Sequence, residues 1–382
     1  MAVPLLDIRA QNAALKADIM KALESVVDSG AFILGSEVEA LETELAALVG
    51  ARYAVGLSSG SDALLVALMA LDIGPGDEVL VPTFTFFATA GAVSRLGATP
   101  VFVDSRLTDF NMDPTDLEAK ISPRSKVVIP VHLFGQCAPM AEILKVAKKH
   151  HLAVVEDAAQ AIGAAAPEGK ACSMGEMGIT SFYPTKNLGA MGDAGMLFSS
   201  DDALAAKVRH LRNHGMNPRY YHSMVGGNFR LDGMQGAVLR IKARHLSTYR
   251  DARDAHAAKY AEILAGKSGI AFAGDANAEE ARLILPRALP GMTHVWNQYT
   301  VRAPGRRDAL KKLLAARGIG CEIYYPLTLD RQECFKGKSL GGESCTRAHR
   351  LAEEVLSLPV YPELPQAGLE EVARALAEFA AG

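Results

Sequence analysis

The sequence is short of the features that mark several large protein classes. Its 382 residues hold one tryptophan and five cysteines (Cys137, Cys172, Cys321, Cys334 and Cys345), and no two cysteines form a C-x-x-C pair. An odd, scattered set is no disulfide framework, so reduced thiols and a cytoplasmic location are expected. The longest apolar run, Ala63–Leu71, falls well short of the ~20 residues that cross a bilayer. The opening residues are too polar for a signal-peptide core. Neither charge sign dominates: the formal net charge is −3 with no block of like charges, which argues against a nucleic-acid partner. H-E-x-x-H, G-x-x-x-x-G-K-[ST] and G-x-S-x-G are missing, so zinc-peptidase, P-loop and hydrolase-elbow chemistry have no support, and no metal is expected.

What is present is apolar and patterned. Hydrophobic residues make up 49% of the chain, enough for the core of a large unit and a smaller one. Leu15, Ile19, Leu23, Val26 and Val27 recur at helical spacing and predict a helix over Asp7–Ser29; a second is predicted over Ser36–Val49. Then the period changes. Arg52–Leu57, Glu78–Pro82, Pro100–Asp104, Lys126–Val131 and Leu152–Asp157 are short β-rich runs. Helical segments at Ser61–Leu71, Ala88–Leu96 and Pro139–His150 alternate with them, and Ile179–Tyr183 and Gly195–Ser199 add two strands. The alternation predicts an α/β fold with a mostly parallel seven-stranded sheet and helices on both faces. Beyond it, a helical stretch runs from Leu231 toward Ala265. Strands at Asn297–Ala303 and Cys321–Pro326, with helices at Arg307–Arg317, Ser344–Leu356 and Leu369–Phe379, predict a second α/β layer. The expected division is a large unit over 1–245 and a smaller one over 246–382.

Ligands of open α/β sheets sit beyond the carboxyl ends of the strands, and four stretches there carry chemistry. In Ser58–Leu68 a strand runs through Ser-Ser-Gly-Ser into a helix, where free N–H groups and small side chains suit a phosphate; an ordinary serine cap reads the same way. Asp157 ends a very apolar strand and needs a partner, either a protonated ring nitrogen or a helix N-terminus. Phe86 and Phe87 follow a strand end, where an aromatic either stacks on a planar ligand or joins the core. Lys186 is a lone cation in a loop bounded by proline and glycine, with no acid nearby until Asp193. A desolvated lysine forms Schiff bases with carbonyl compounds, whereas a loop lysine is more often solvated. Taken together, the four specify pyridoxal 5′-phosphate (PLP) as cofactor.

The stretches "SSGSDAL", "VPTFTFFAT", "PVHLFGQ", "VVEDAAQAIGA", "SFYPTKNLGAMGDAG", "RNHG" and "GGNFRLD" occur in an order that resembles the DegT/DnrJ/EryC1/StrS family of PLP-dependent sugar aminotransferases. The resemblance spans nearly the whole chain. It implies fold-type I architecture and a homodimer with shared active sites. It also implies that Lys186 is the Schiff-base lysine, Asp157 the partner of the ring nitrogen and Phe86 the stacking residue. Gln160 would lie near the ring's phenolic oxygen. Gly60, Ser61 and Ser181 would hold the phosphate, with Asn228 reaching it from the partner subunit. The implied reaction moves an amino group from L-glutamate, through the pyridoxamine 5′-phosphate (PMP) form, to a nucleotide-linked keto sugar.

Tyr221, His222, Arg230 and Tyr325 are candidate substrate contacts, and the Arg219–His222 segment resembles enzymes that aminate C3 rather than C4. One departure stands out. "YYPLTLDRQECF" has Thr328 and Asp330 where relatives commonly carry proline and histidine. Sugar dehydratases of this kind replace the lysine with histidine, which Lys186 argues against. A regulatory member would be expected to have lost parts of the site or gained a DNA-binding module, and the sequence has done neither.

Overall fold

The structure is a computed structural model that describes residues 2–382. Seven strands form the main sheet: β1 (Tyr53–Leu57), β2 (Glu78–Pro82), β3 (Thr99–Val103), β4 (Ser125–Val128), β5 (Ala153–Asp157), β6 (Met177–Ser181) and β7 (Gly195–Ser199). Their order is β1-β7-β6-β5-β4-β2-β3. Only β7 runs antiparallel, to both of its neighbours. Every residue of β2 and β7 is buried, as expected of strands covered on both faces.

Helices α1 (Ile8–Ser29), α2 (Ser36–Val49), α3 (Gly60–Ala70), α4 (Ala88–Arg95), α5 (Met140–His150) and α6 (Asp202–Arg212) surround this sheet. Asp7 caps α1 by accepting from the N–H groups of Arg9 and Ala10. Helix α3 is apolar nearly all round because it lies under α4 and α6 against the sheet, and eight of its eleven residues are buried.

The helical stretch expected from Leu231 toward Ala265 is two helices, α7 (Gly233–Ala243) and α8 (Leu246–Leu264), broken at Arg244–His245. No glycine or proline marks the break. Packing decides it: α7 lies against α1 and α2, whereas α8 lies against the last helix of the chain.

A second sheet holds β8 (Ile270–Phe272), β9 (Leu283–Leu285), β10 (Tyr299–Arg302) and β11 (Val355–Leu358), flanked by α9 (Arg307–Ala316), α10 (Thr346–Glu354) and α11 (Gln366–Ala381). The helix expected over Ser344–Leu356 therefore stops at Glu354, where the chain turns into β11 and pairs with β10. The strand expected over Cys321–Pro326 is a single bridge, Glu322 to Ser357. After it the chain leaves the sheet and carries Tyr324 and Tyr325 toward the cavity described below. Val3 bridges to Ile319 and joins the core of this second layer.

Candidate active site

Beyond the carboxyl ends of β1, β5 and β6 lies a cavity of about 650 Å³. Ser59, Gly60, Ser61, Phe86, Asp157, Gln160, Ser181, Lys186 and Tyr325 all line it. The sequence candidates for cofactor contact thus converge, with the exception of Asn228.

Asp157 ends β5 and is 4% exposed. Its Oδ2 accepts from the Thr89 hydroxyl at 2.8 Å, and its Oδ1 accepts from the Ala159 N–H at 3.1 Å. Burial raises its carboxyl above the ordinary value; these two bonds and the charge of Lys186 oppose the rise without cancelling it. A carboxylate in that condition favours a cationic neighbour. Beneath it, Glu156 points the other way and accepts from His132 Nε2 at 2.9 Å and from the N–H groups of Cys172, Met174 and Gly175. The Ala138 N–H donates to His132 Nδ1, so Nε2 carries the proton toward Glu156.

Lys186 sits in a tight turn rather than a loose loop. Its N–H donates to the Tyr183 carbonyl at 2.8 Å, and a Cβ added at Gly189 would meet the Pro184 carbonyl oxygen at 2.4 Å. Asn187 anchors the same turn on the Val295 carbonyl at 2.9 Å. Burial lowers the Lys186 amine to about 8, although Asp157 pulls it upward. The amine is therefore released by desolvation, which outweighs a carboxylate that the local sequence does not reveal.

At the other end of the cavity, α3 opens at Gly60 with Ser59 as its cap. A Cβ on Gly60 would lie 2.6 Å from Ser181 Cβ, and one on Gly195 would lie 2.3 Å from the Ser59 carbonyl carbon. Backbone, helix start and Ser181 are thus pressed into a cradle with room for an anion and none for larger side chains. Gln160 accepts from the Phe134 N–H at 2.7 Å and donates to the Tyr325 hydroxyl at 3.1 Å. Phe86, 56% exposed, faces the cavity 6.2 Å from the Tyr325 ring. The residues present fit a phosphorylated aromatic aldehyde.

The model of the DegT/DnrJ/EryC1/StrS aminotransferase family matches residues 13–377. The chain belongs to that family. It is 46% identical to a UDP-N-acetyl-3-dehydro-α-D-glucosamine 3-aminotransferase of Acidithiobacillus ferrooxidans, over 98% of this chain and 96% of that enzyme. It is 45% identical to a pleiotropic regulatory protein of Geobacillus stearothermophilus, over 99% of both chains. Streptomyces venezuelae DesV, solved in complex with a ketimine intermediate, superposes with a TM-score of 0.93 at 41% identity, over 100% of this chain and 99% of that one. The fold is that of the PLP-dependent aminotransferases.

Four candidates, Asn228, Tyr221, His222 and Arg230, do not line the cavity of their own chain. Asn228 is exposed and pairs through its backbone with Asn213. Tyr221 is 70% exposed, His222 bonds the His214 carbonyl, and Arg230 donates to Asn213 Oδ1 at 2.8 Å. The side chains of His222 and Arg230 thus find partners within this 213–230 segment, whose backbone is tied in turn to Ser58, Leu211 and Arg212. Other lining residues carry no signal that singles them out in the sequence: Thr85, Tyr183, Asp193, Gln298 and Tyr324. Thr89 is a further omission, although its place three residues after Phe86 puts both near the start of α4.

Proposed function

We propose that this aminotransferase moves the amino group of L-glutamate to a keto carbon of a hexose carried on a nucleoside diphosphate, with C3 the favoured position. The observation that carries the reading is a lysine amine held near pH 8 beside a buried acid, across a cavity from a glycine-lined helix start. The 3-aminotransferase among its relatives supports a sugar acceptor and C3.

When bound, PLP supplies an aldehyde that takes up amines and a ring that accepts electron density. Gly60, Ser61 and Ser181 hold its phosphate. Phe86 covers one ring face, and Gln160 stands by the phenolic oxygen. Asp157 keeps the proton on the ring nitrogen, which its buried carboxylate is suited to do. Lys186 anchors the aldehyde and then, as a free amine, takes a proton at Nζ and returns it. The desolvation that lowers its basicity matches it to both tasks near neutral pH.

A homodimer completes this reading. Asn228 reaches the phosphate from the partner subunit, and Tyr221, His222 and Arg230 meet the nucleotide-linked sugar there. Val225 and Tyr220, 89% and 72% exposed in the same 213–230 segment as Asn228, support a contact surface there. Tyr325 contacts the sugar from within the chain.

The test is the visible absorption of the purified chain loaded with PLP. L-Glutamate should bleach the band while 2-oxoglutarate accumulates, and a nucleotide-linked 3-keto sugar should restore it. A band that ignores glutamate removes that donor. A chain that takes up no PLP would instead favour a regulatory role like that named for the Geobacillus relative.

A further inference from the structure

The acid at position 330 lies behind the cavity wall, not in it. Thr85, Phe86, Tyr324 and Tyr325 line the cavity, and Asp330 does not. Its carboxylate bridges two elements remote in sequence. Oδ1 accepts from the Thr83 hydroxyl at 2.5 Å, and Oδ2 accepts from His349 Nε2, on α10, at 2.8 Å. The grip on Thr83 is doubled by backbone: the Asp330 N–H donates to Thr83 Oγ1 at 3.2 Å, and the Leu329 N–H donates to the Thr83 carbonyl at 2.8 Å.

Thr83 is fully buried and directly follows β2, three residues before Phe86. Asp330 follows Tyr325 by five residues. The relay therefore ties the strand end that carries Phe86 to the segment that carries Tyr325, the two rings that face each other across 6.2 Å. Phe84, between Thr83 and Phe86, packs edge-on to the Tyr325 ring at the same distance. The side chain has no freedom to swing into the cavity. Gly342 is packed so closely that a Cβ there would lie 2.2 Å from Asp330 Cβ. Buried hydrogen bonds to a carboxylate are among the stronger and more directional ones, so a relay of this kind fixes position.

We propose that Asp330, through Thr83 and braced by His349, is a positioning residue that sets the Phe86–Tyr325 wall against which the cofactor ring is held. The inference rests on the cofactor reading above. In this chain the departure from histidine is a change of scaffold behind the wall, paired with His349, and does not put an acid against the sugar.

The experiment measures the dissociation constant of PMP, which is bound without a covalent link, for the full chain and its variants by fluorescence titration. Circular dichroism checks the fold of each. Thr83→Val removes the hydroxyl at nearly constant volume and should raise the constant about tenfold, the scale of one lost buried hydrogen bond to a charged group. Asp330→Ala should do the same, and the double variant should be no worse than the poorer single one, because both break one relay. Thr83→Ser keeps the hydroxyl and should stay within about twofold of the parent chain. His349→Gln, a milder change should Asp330→Ala fail to fold, should raise the constant about threefold. Values within twofold of the parent for folded Thr83→Val and Asp330→Ala overturn the proposal and leave the cofactor reading standing. So does a raised sugar KM in Asp330→Ala with unchanged PMP binding, which would put the acid against substrate. A parent chain that binds no PMP overturns both.

Discussion

Thr89 donates its hydroxyl hydrogen to Oδ2 of Asp157 at 2.8 Å, so the acid that ends β5 is steadied by the first turns of the helix that follows β2. The bond is one of two that counter the burial of that carboxyl.

Thr89→Val should therefore push the Asp157 carboxyl further up, so that it competes for the ring proton and leaves it less firmly on the nitrogen. A hydrogen bond to a charged group contributes about 1.5–3 kcal/mol, so kcat should fall roughly ten- to a hundredfold. Thr89→Ser should retain most of the activity. Steady-state kinetics of the two variants against the parent chain decides this, and an active Thr89→Val would remove the role.

The depressed Lys186 amine sets a pH dependence. Only the neutral amine attacks an aldehyde, and its value of about 8 means the neutral fraction falls about tenfold for each pH unit below that and levels off above it. The rate at which the cofactor-free chain captures PLP should rise with pH to a plateau just above 8. An ordinary lysine would keep rising toward its value of about 10.4. Stopped-flow absorbance across that range measures it, and Lys186→Arg, which stays cationic, should show no capture.

Gly195→Ala tests the phosphate cradle. The added carbon would meet the Ser59 carbonyl carbon, the Ser59 oxygen and the Gly60 nitrogen at 2.3, 2.4 and 2.5 Å, all of them backbone. Overpacking of this kind costs about 1–3 kcal/mol and displaces the start of α3. Binding of PMP should weaken at least tenfold, while the weaker binding of pyridoxamine, which lacks the phosphate, should change little.

Glu156 is the acceptor of four donors, one from His132 and three from backbone, of which those from His132 and Cys172 are buried. Glu156→Ala strands all four, and each unsatisfied group costs about 1–3 kcal/mol. The variant should lose several kcal/mol in urea denaturation or fail to accumulate as folded protein. Glu156→Gln, which still accepts, should lose less. Equal stability of the two would mean that those donors find other partners.

Much of the candidate site is legible in the sequence, in that most of the residues it singles out line one cavity. Lys186 stands out as a lone cation among small residues, Asp157 as an acid closing an apolar strand, and Gly60–Ser61 as a helix start with room beside it. These are local signals: strand period, helix start and the shortage of nearby charge are written in neighbouring residues. The same locality explains the errors. Continuous helical patterning hides the break at Arg244–His245, and the β-rich look of Cys321–Pro326 hides a segment that leaves its sheet to build a cavity wall.

What only the tertiary structure decided is which distant groups meet. Gln160 finds the Tyr325 hydroxyl across 165 residues, and Thr83 finds Asp330 across 247. The proximity of Asp157 to Lys186, unseen along the chain, makes the lysine's low basicity a contest that burial wins. The sequence by itself determined the residue types, the alternation of strands and helices, and the family. Packing determined the partners, because hydrogen bonds and desolvation depend on distance in space and not on separation along the chain.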